Sequence, residues 1–269
     1  MFIIGELINS TRKRIKEAVL SRDEGHIREI ALKQKDAGAH MLDVNGGIAG
    51  QDVECLSWLA GVVQESVDLP LCLDSDNPEA LRAALPLLKQ RPMINSIPHE
   101  EARIAAVLPL AKEYGAKVIA LAMGPAGPPK GVEDRLETAC RLVDVLTSSG
   151  MALDDIYVDP CVLPVSTGAQ HGQGVAEAVA EVKRRYPGVH SSVGLSNVSY
   201  GLPVRKLLNQ TFLTLLLSRG LDTAILDPCD RQLMANLAAA EALLGRDRHC
   251  AAYLRAFRDG KLETPTATS

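Results

Sequence analysis

Four side chains stand out by type and placement: Asp74 in LCLDS, Asn95 in MINS, Asp159 in YVDP and Asn197 in GLSNVSYGLP. Each follows a short aliphatic run and so reads as the polar end of a buried strand. Asn45 in LDVNGG and Ser196 beside Asn197 share that placement, and Arg205 follows a few residues later. A carboxylate accepts two parallel N–H bonds, whereas an amide both donates and accepts. Together these groups suit a neutral, flat heterocycle with several N–H donors, such as an aminopyrimidinone edge. The carboxylates are expected to be ionised and held so by those donors.

The same residues exclude other chemistries. The remaining strand-end positions include Glu6, Asn9, Asp43, Ser75, Asp76, Ser96, Asp227 and Asp230, with no histidine and almost no basic residue. Metal-assisted hydrolysis calls for histidine ligands. GLSNV is not a G-x-S-x-G elbow, and no histidine stands near it to make a triad. A phosphate substrate calls for basic residues or glycine-rich backbone nests, and GPAGPPKG lacks the P-loop spacing. The six cysteines form no C-x-x-C pair and no zinc spacing, which suits reduced thiols in a cytoplasmic protein.

Taken one at a time, these residues have plainer uses. Asp74 and Asp159 could cap helices, Asn45 before Gly46-Gly47 is a turn signal, and Asn209 could tie down a loop. Arg205 could reach ligand carboxylates or form a salt bridge. Their register sets the ligand reading apart, because polar residues recur at one end of successive strands.

That register requires a scaffold. Strands are expected at Phe2–Gly5, His40–Val44, Leu69–Leu73, Pro92–Ile94, Ala116–Ala122, Asp155–Val158, Ser191–Leu195 and Thr223–Leu226. Amphipathic helices lie between them, among them Arg205–Arg219 and Arg231–Leu244. Glycine precedes the next strand in DAGAHMLDV, EYGAKVIAL, SSGMALDDIYVD, YPGVHSSVGL and SRGLDTAIL, where it would end a helix in the left-handed conformation. Eight strand–helix units in 269 residues point to one α/β domain, a closed (β/α)8 barrel over residues 1–260. An open doubly wound sheet is the alternative, but no G-x-G-x-x-G follows a strand. Pro109 should kink the helix His99–Glu113 or delay its start. A last helix, His249–Arg258, should pack outside, with a disordered tail over 261–269.

Apolar residues make up 46% of the chain and aromatics 3%, so the core must be mostly aliphatic. The net charge of −4 is spread through the sequence, and Lys183-Arg184-Arg185 reads as a solvated helix end. Neither a nucleic-acid footprint nor a leader or membrane segment is expected.

The runs IGELIN, LDVNGG, LCLDS, MINS, YVDP and GLSNVSYGLPVRKLLNQTFL, in that order, resemble the pterin-binding methyltransferases that act on methyltetrahydrofolate and corrinoid proteins. The resemblance runs from Met1 to about Gly260. It implies a dihydropteroate-synthase-like TIM barrel, usually homodimeric, that binds methyltetrahydrofolate or tetrahydrofolate in its mouth. Such an enzyme exchanges the N5 methyl group with the cobalt of a cobalamin-type corrinoid on a partner protein. By the same resemblance Asp74, Asn95 and Asp159 grip the pterin, Asn197 reaches N5, and Ser196 and Asn45 support them. Members often read Glu-Arg-Ile-Asn at the first strand, where this chain has Leu7, and some carry a polar residue where Gly124 stands. Both departures leave the folate-tail contacts and the partner surface open.

Methyl transfer from N5 displaces an amine, a poor leaving group unless the nitrogen gains a proton or a strong hydrogen bond. An amide at Asn197 would strengthen such a bond as charge develops. The residues also leave two other functions open: a dihydropteroate synthase-like enzyme, and a non-catalytic folate-binding subunit of a corrinoid complex.

Overall fold

In the computed structural model, which describes residues 1–262, eight parallel strands alternate with helices. The order is β1 (Phe2–Asn9), α1 (Lys13–Ser21), α2 (Glu24–Asp36), β2 (Met41–Asn45), α3 (Asp52–Ser66), β3 (Leu71–Asp74) and α4 (Pro78–Ala84). Then come β4 (Met93–Pro98), α5 (Glu101–Glu113), β5 (Lys117–Leu121), α6 (Val132–Ser148), β6 (Ile156–Asp159) and α7 (His171–Arg185). The last elements are β7 (His190–Ser191), α8 (Arg205–Ser218), β8 (Thr223–Leu226), α9 (Arg231–Leu243) and α10 (Ala251–Arg258). The strands pair in the order 7-6-5-4-3-2-1-8. A parallel bridge from Gly194 to Ile225, with Ile225 N–H donating to Val193 O at 2.9 Å, joins the two ends of the sheet. The expected barrel is therefore observed.

Side chains alternate across each strand, and the alternation sorts them into two cores. Ile4, Met41, Cys72, Met93, Ile119, Tyr157 and Ile225 fill the barrel interior. Ile8, Leu42, Val44, Leu73, Ile94, Val118 and Val158 face outward against the helices. Each fully buried aliphatic side chain contributes about 1.5–3 kcal/mol, so these layers fix the strand register on which the site depends.

Four of the five junction glycines behave as expected: Gly38, Gly115, Gly150 and Gly220 have φ of 102°, 58°, 94° and 102°. Gly188 does not. It lies in a turn after α7, and a Cβ there would come within 3.1 Å of Leu153 Cδ1, so close packing sets its size. Pro109 neither ends nor delays α5. Pro109 is on the exposed face, as is Ala105 four residues earlier, so the carbonyl it leaves unpaired meets solvent.

Strands β1, β3, β4, β5 and β7 differ in length from the sequence reading, and two of them show why. β1 runs four residues further, with a register shift between Gly5 and Ile8, and Leu7 N–H donates to the buried Gln34 Oε1 at 2.9 Å. β7 has two residues instead of five, because the chain turns at Gly194 into a short 3-10 helix, Leu195–Ser199. At the C-terminus a one-turn 3-10 helix, Arg248–Cys250, leads into α10. Of the expected tail 261–269, residues 263–269 lie outside the described residues. Among the described residues no helix is long and apolar enough to cross a membrane.

Candidate functional site

The interior cluster positions the polar groups. Two residues after each of its members, on the same face, stand Glu6 (after Ile4), Asp43 (after Met41), Asp74 (after Cys72), Asn95 (after Met93), Asp159 (after Tyr157) and Asp227 (after Ile225). Only β5 breaks the series, with Leu121 following Ile119. An aliphatic interior thus ends in a layer of carboxylates and amides at the carboxyl end of the barrel, where this architecture builds its sites.

One arc of that layer is a chain of hydrogen bonds. Ser10 Oγ donates to Asn45 Oδ1 at 2.9 Å, and Asn45 Nδ2 donates to Asp74 Oδ2 at 3.0 Å. Asn95, in register with Asp74, reaches across β3 and donates its amide to Asp43 Oδ1 at 3.2 Å. Arg103 of α5 clamps the loops beneath this arc, donating to Ser75 O at 2.6 Å, Asp76 O at 2.9 Å and Ser96 O at 3.1 Å.

A second arc joins β6 to the loop after β7. Asp159 Oδ1 accepts the Cys161 N–H at 2.8 Å, and Oδ2 accepts the Gly194 N–H at 3.3 Å. The Asn197 amide nitrogen lies directly over Gly194, where an added Cβ would stand 2.9 Å from it. Asn197 is exposed, at the solvent edge of this arc.

The loop that carries Asn197 is braced from three sides. Ser196 Oγ donates to Glu6 Oε1 at 2.9 Å, and Asn209 Nδ2 reaches Ser196 Oγ at 3.4 Å. Arg205 turns inward, its Nε donating to Ser199 Oγ at 3.0 Å and its Nη2 to Ser196 O at 2.6 Å. Arg205 thus grips its own loop.

Burial sets the electrostatics of the layer. It raises Asp159 to about 6 against two backbone N–H bonds, and raises Asp74 to about 6 against the Asn45 amide. Asp43 is only 3% exposed, and burial plus the neighbouring Asp74 charge push it well above the usual carboxylate range. Asp43 is therefore the carboxyl of the pair that keeps its proton to higher pH. Burial also raises Glu6. At neutral pH Asp74 and Asp159 are mostly ionised acceptors.

The capping alternative fails for the two aspartates. The side chain that caps α4 is Asn77, which accepts from Glu79 N–H, and α7 begins twelve residues after Asp159. Asn45 serves both purposes, since it also accepts the Gly47 N–H at 3.0 Å in a turn. Asp227 accepts the Cys229 N–H at 2.9 Å in a turn, and Asp230 caps α9. All six site residues from β2 to the loop after β7 fall on one end of the barrel: Asn45, Asp74, Asn95, Asp159, Ser196 and Asn197. Sequence reasoning places Asp43 and Glu6 at strand ends but not among the site residues. Their spacing of two from Asn45 and Ile4 carries the missing signal.

The model of the family described as "Pterin binding enzyme" matches residues 5–227. The chain is 38% identical over 265 residues to the methylcorrinoid:tetrahydrofolate methyltransferase of Eubacterium limosum, covering 97% of this chain and 98% of that protein. It is 34% identical over 239 residues to the methionine synthase of Mycobacterium tuberculosis, covering 84% of this chain but 20% of that longer protein. Among solved structures, Yersinia pestis dihydropteroate synthase superposes with a TM-score of 0.72 at 13% identity, covering 91% of this chain and 94% of that one. Xanthomonas albilineans dihydropteroate synthase superposes with a TM-score of 0.68 at 17% identity, covering 90% and 92%. At such identities the two superpositions speak to the fold alone.

Proposed function

Because the chain belongs to the pterin-binding enzymes, and among them to the folate- and corrinoid-dependent methyltransferases, we propose that it exchanges a methyl group between N5 of methyltetrahydrofolate and the cobalt of a corrinoid protein. The observation that carries this reading is the polar layer itself: Asp74, Asn95 and Asp159 ending three interior-facing strands, with the Asn197 amide beside them. Two ionised carboxylates and an amide match the N–H donors and acceptors of a pterin edge.

In this reading Asp159 and Asp74 accept from the aminopyrimidinone edge, and Asn95 fixes the ring's orientation. Asn45 holds Asp74, while Ser196, Glu6 and Arg205 hold the loop that presents Asn197. Asn197 donates to N5, and its bond strengthens as charge grows on the departing nitrogen. The proton that N5 gains arrives through water near the carboxylates. The corrinoid supplies the cobalt centre from a separate protein, and this chain holds the methyl-bearing ring in line with it. Positioning of that kind is worth about 7–11 kcal/mol. The same transition state serves both directions of transfer. The active form in this reading is a homodimer in the cytoplasm.

The test is to mix the purified protein with tetrahydrofolate and a methylated corrinoid, and to follow loss of the methyl–cobalt absorbance. The expected outcome is methyltetrahydrofolate formed in step with that loss. Absence of transfer with both free and protein-bound corrinoid, or formation of dihydropteroate from dihydropterin pyrophosphate and aminobenzoate, would contradict it.

A further inference from the structure

Arg135 is 1% exposed on the inward face of α6. Arginine is rarely buried so fully unless it is paired. Here, among the described residues, no carboxylate forms a salt bridge with it. Its partners are three backbone carbonyls: Pro160 O at 3.0 Å from Nε, Gly131 O at 3.3 Å from Nη1 and Cys161 O at 3.4 Å from Nη2. Two of the three belong to the residues directly after Asp159. Cys161 has φ of 63°, a conformation that a residue with a Cβ adopts at a cost and only when its surroundings hold it there. In that conformation its N–H donates to Asp159 Oδ1 at 2.8 Å.

We propose that Arg135 is a positioning residue for Asp159: its planar fork fixes the Pro160–Cys161 turn and so aims the Cys161 N–H at the carboxylate that grips the pterin. The inference rests on the reading of Asp159 as a pterin ligand. Its charge acts in the same sense. Burial lifts Asp159 to about 6, and the Arg135 cation opposes that rise. Among the described residues, no other cation acts on the carboxylate. Leu121 pairs with it from β5, and from the loop after β7 the Gly194 N–H donates to it. The Cys161 thiol in its own loop is pushed up to about 12 by burial and stays neutral. The titratable neighbours of Arg135 also include the Asp134 carboxylate on α6 and His171 at the start of α7, whose imidazole burial holds below its usual range.

A purely structural staple would lower stability when removed and leave the pH profile of binding alone. Tetrahydrofolate affinity is therefore measured from pH 5.5 to 9 in the wild type, Arg135→Lys and Arg135→Met, with folding checked by circular dichroism. Wild-type affinity should rise with pH as Asp74 and Asp159, both raised to about 6, ionise. Arg135→Met should move the Asp159 midpoint up by about one pH unit or more and weaken binding at pH 7 about tenfold. Arg135→Lys keeps the charge but not the fork, and should lose affinity several-fold at an unchanged midpoint. A folded Arg135→Met with the wild-type midpoint overturns the proposal. If Arg135→Met does not fold, Arg135→Lys decides, and wild-type affinity there overturns it equally. A wild type that binds no tetrahydrofolate at any pH counts against the functional reading instead. The Asp159 carboxyl is then followed by NMR in the ligand-free protein, where an equal midpoint in wild type and Arg135→Met overturns the role of Arg135.

Discussion

Asn95 donates its amide to Asp43, 3.2 Å away on the far side of β3, although Asp74 is its register partner on the neighbouring strand. Against that bond, burial and the Asp74 charge make the two carboxyls of this arc unequal. Asp43 is buried deeper and keeps its proton to higher pH, while Asp74 holds the Asn45 amide and remains an acceptor. An amide closely mimics a protonated carboxyl in shape and still offers an oxygen to Asn95. Asp43→Asn should therefore keep tetrahydrofolate affinity within about threefold at pH 7, whereas Asp74→Asn should weaken it by about tenfold or more. Calorimetric titration of both variants checks the contrast, and equal losses would mean that Asp43 also acts as an anion.

Gly194 offers a way to move Asn197 without removing it. Its φ and ψ of −76° and 88° are open to alanine, and the added Cβ would meet the tip of the Asn197 side chain at 2.9 Å. Because the obstructed atom ends a flexible side chain, Gly194→Ala should change thermal stability by less than about 1 kcal/mol. The displaced amide should nevertheless slow methyl transfer by about tenfold to a hundredfold. A variant with wild-type turnover would show that the amide need not stand where it does.

At the opposite end of the barrel, His190 stacks on Tyr157 with ring centroids 4.5 Å apart and bridges Asp222 at 3.3 Å and Asp154 at 3.0 Å. The hydrogen bond to Asp222 is the largest cause raising its value above the usual imidazole range. Against the effect of burial, bonds from His190 and Lys183 hold Asp222 below the ordinary range, so Asp222 is ionised throughout the neutral region. A raised imidazole stabilises the fold fully below its unfolded value of about 6.5 and loses that contribution as pH rises through the folded value. The stability difference between wild type and His190→Gln in urea should therefore shrink from pH 6 to pH 8.5. A difference independent of pH would assign the role of His190 to packing alone.

Much of the fold is legible because barrel strands announce themselves as short aliphatic runs punctuated by glycine. All eight expected strands are present, and Gly38, Gly115, Gly150 and Gly220 end helices as their positions suggest. Strand lengths are less legible, since they depend on tertiary events. Gly194 leaves β7 early in order to bridge Ile225, and Gln34 supports the β1 irregularity from a helix distant in sequence. The strand-end positions of Asp74, Asn95 and Asp159 are readable because alternation dictates which side chains face inward. Arg135 escapes the sequence reading, although its signal is local: it stands on the buried stripe of α6 with Thr138, Ala139 and Leu142. A charged residue on such a stripe marks a partner on the next element, and here that partner is the loop that arranges Asp159.

In the proposed reaction an amide at position 197 assists departure of N5, while the carboxylates hold the ring. The most direct measurement is single-turnover methyl transfer by Asn197→Ala at saturating folate and corrinoid, paired with its folate affinity. The predicted result is a rate lower by about a hundredfold to a thousandfold, with affinity reduced less than about tenfold. A wild-type single-turnover rate, or a loss confined to folate affinity, would contradict it.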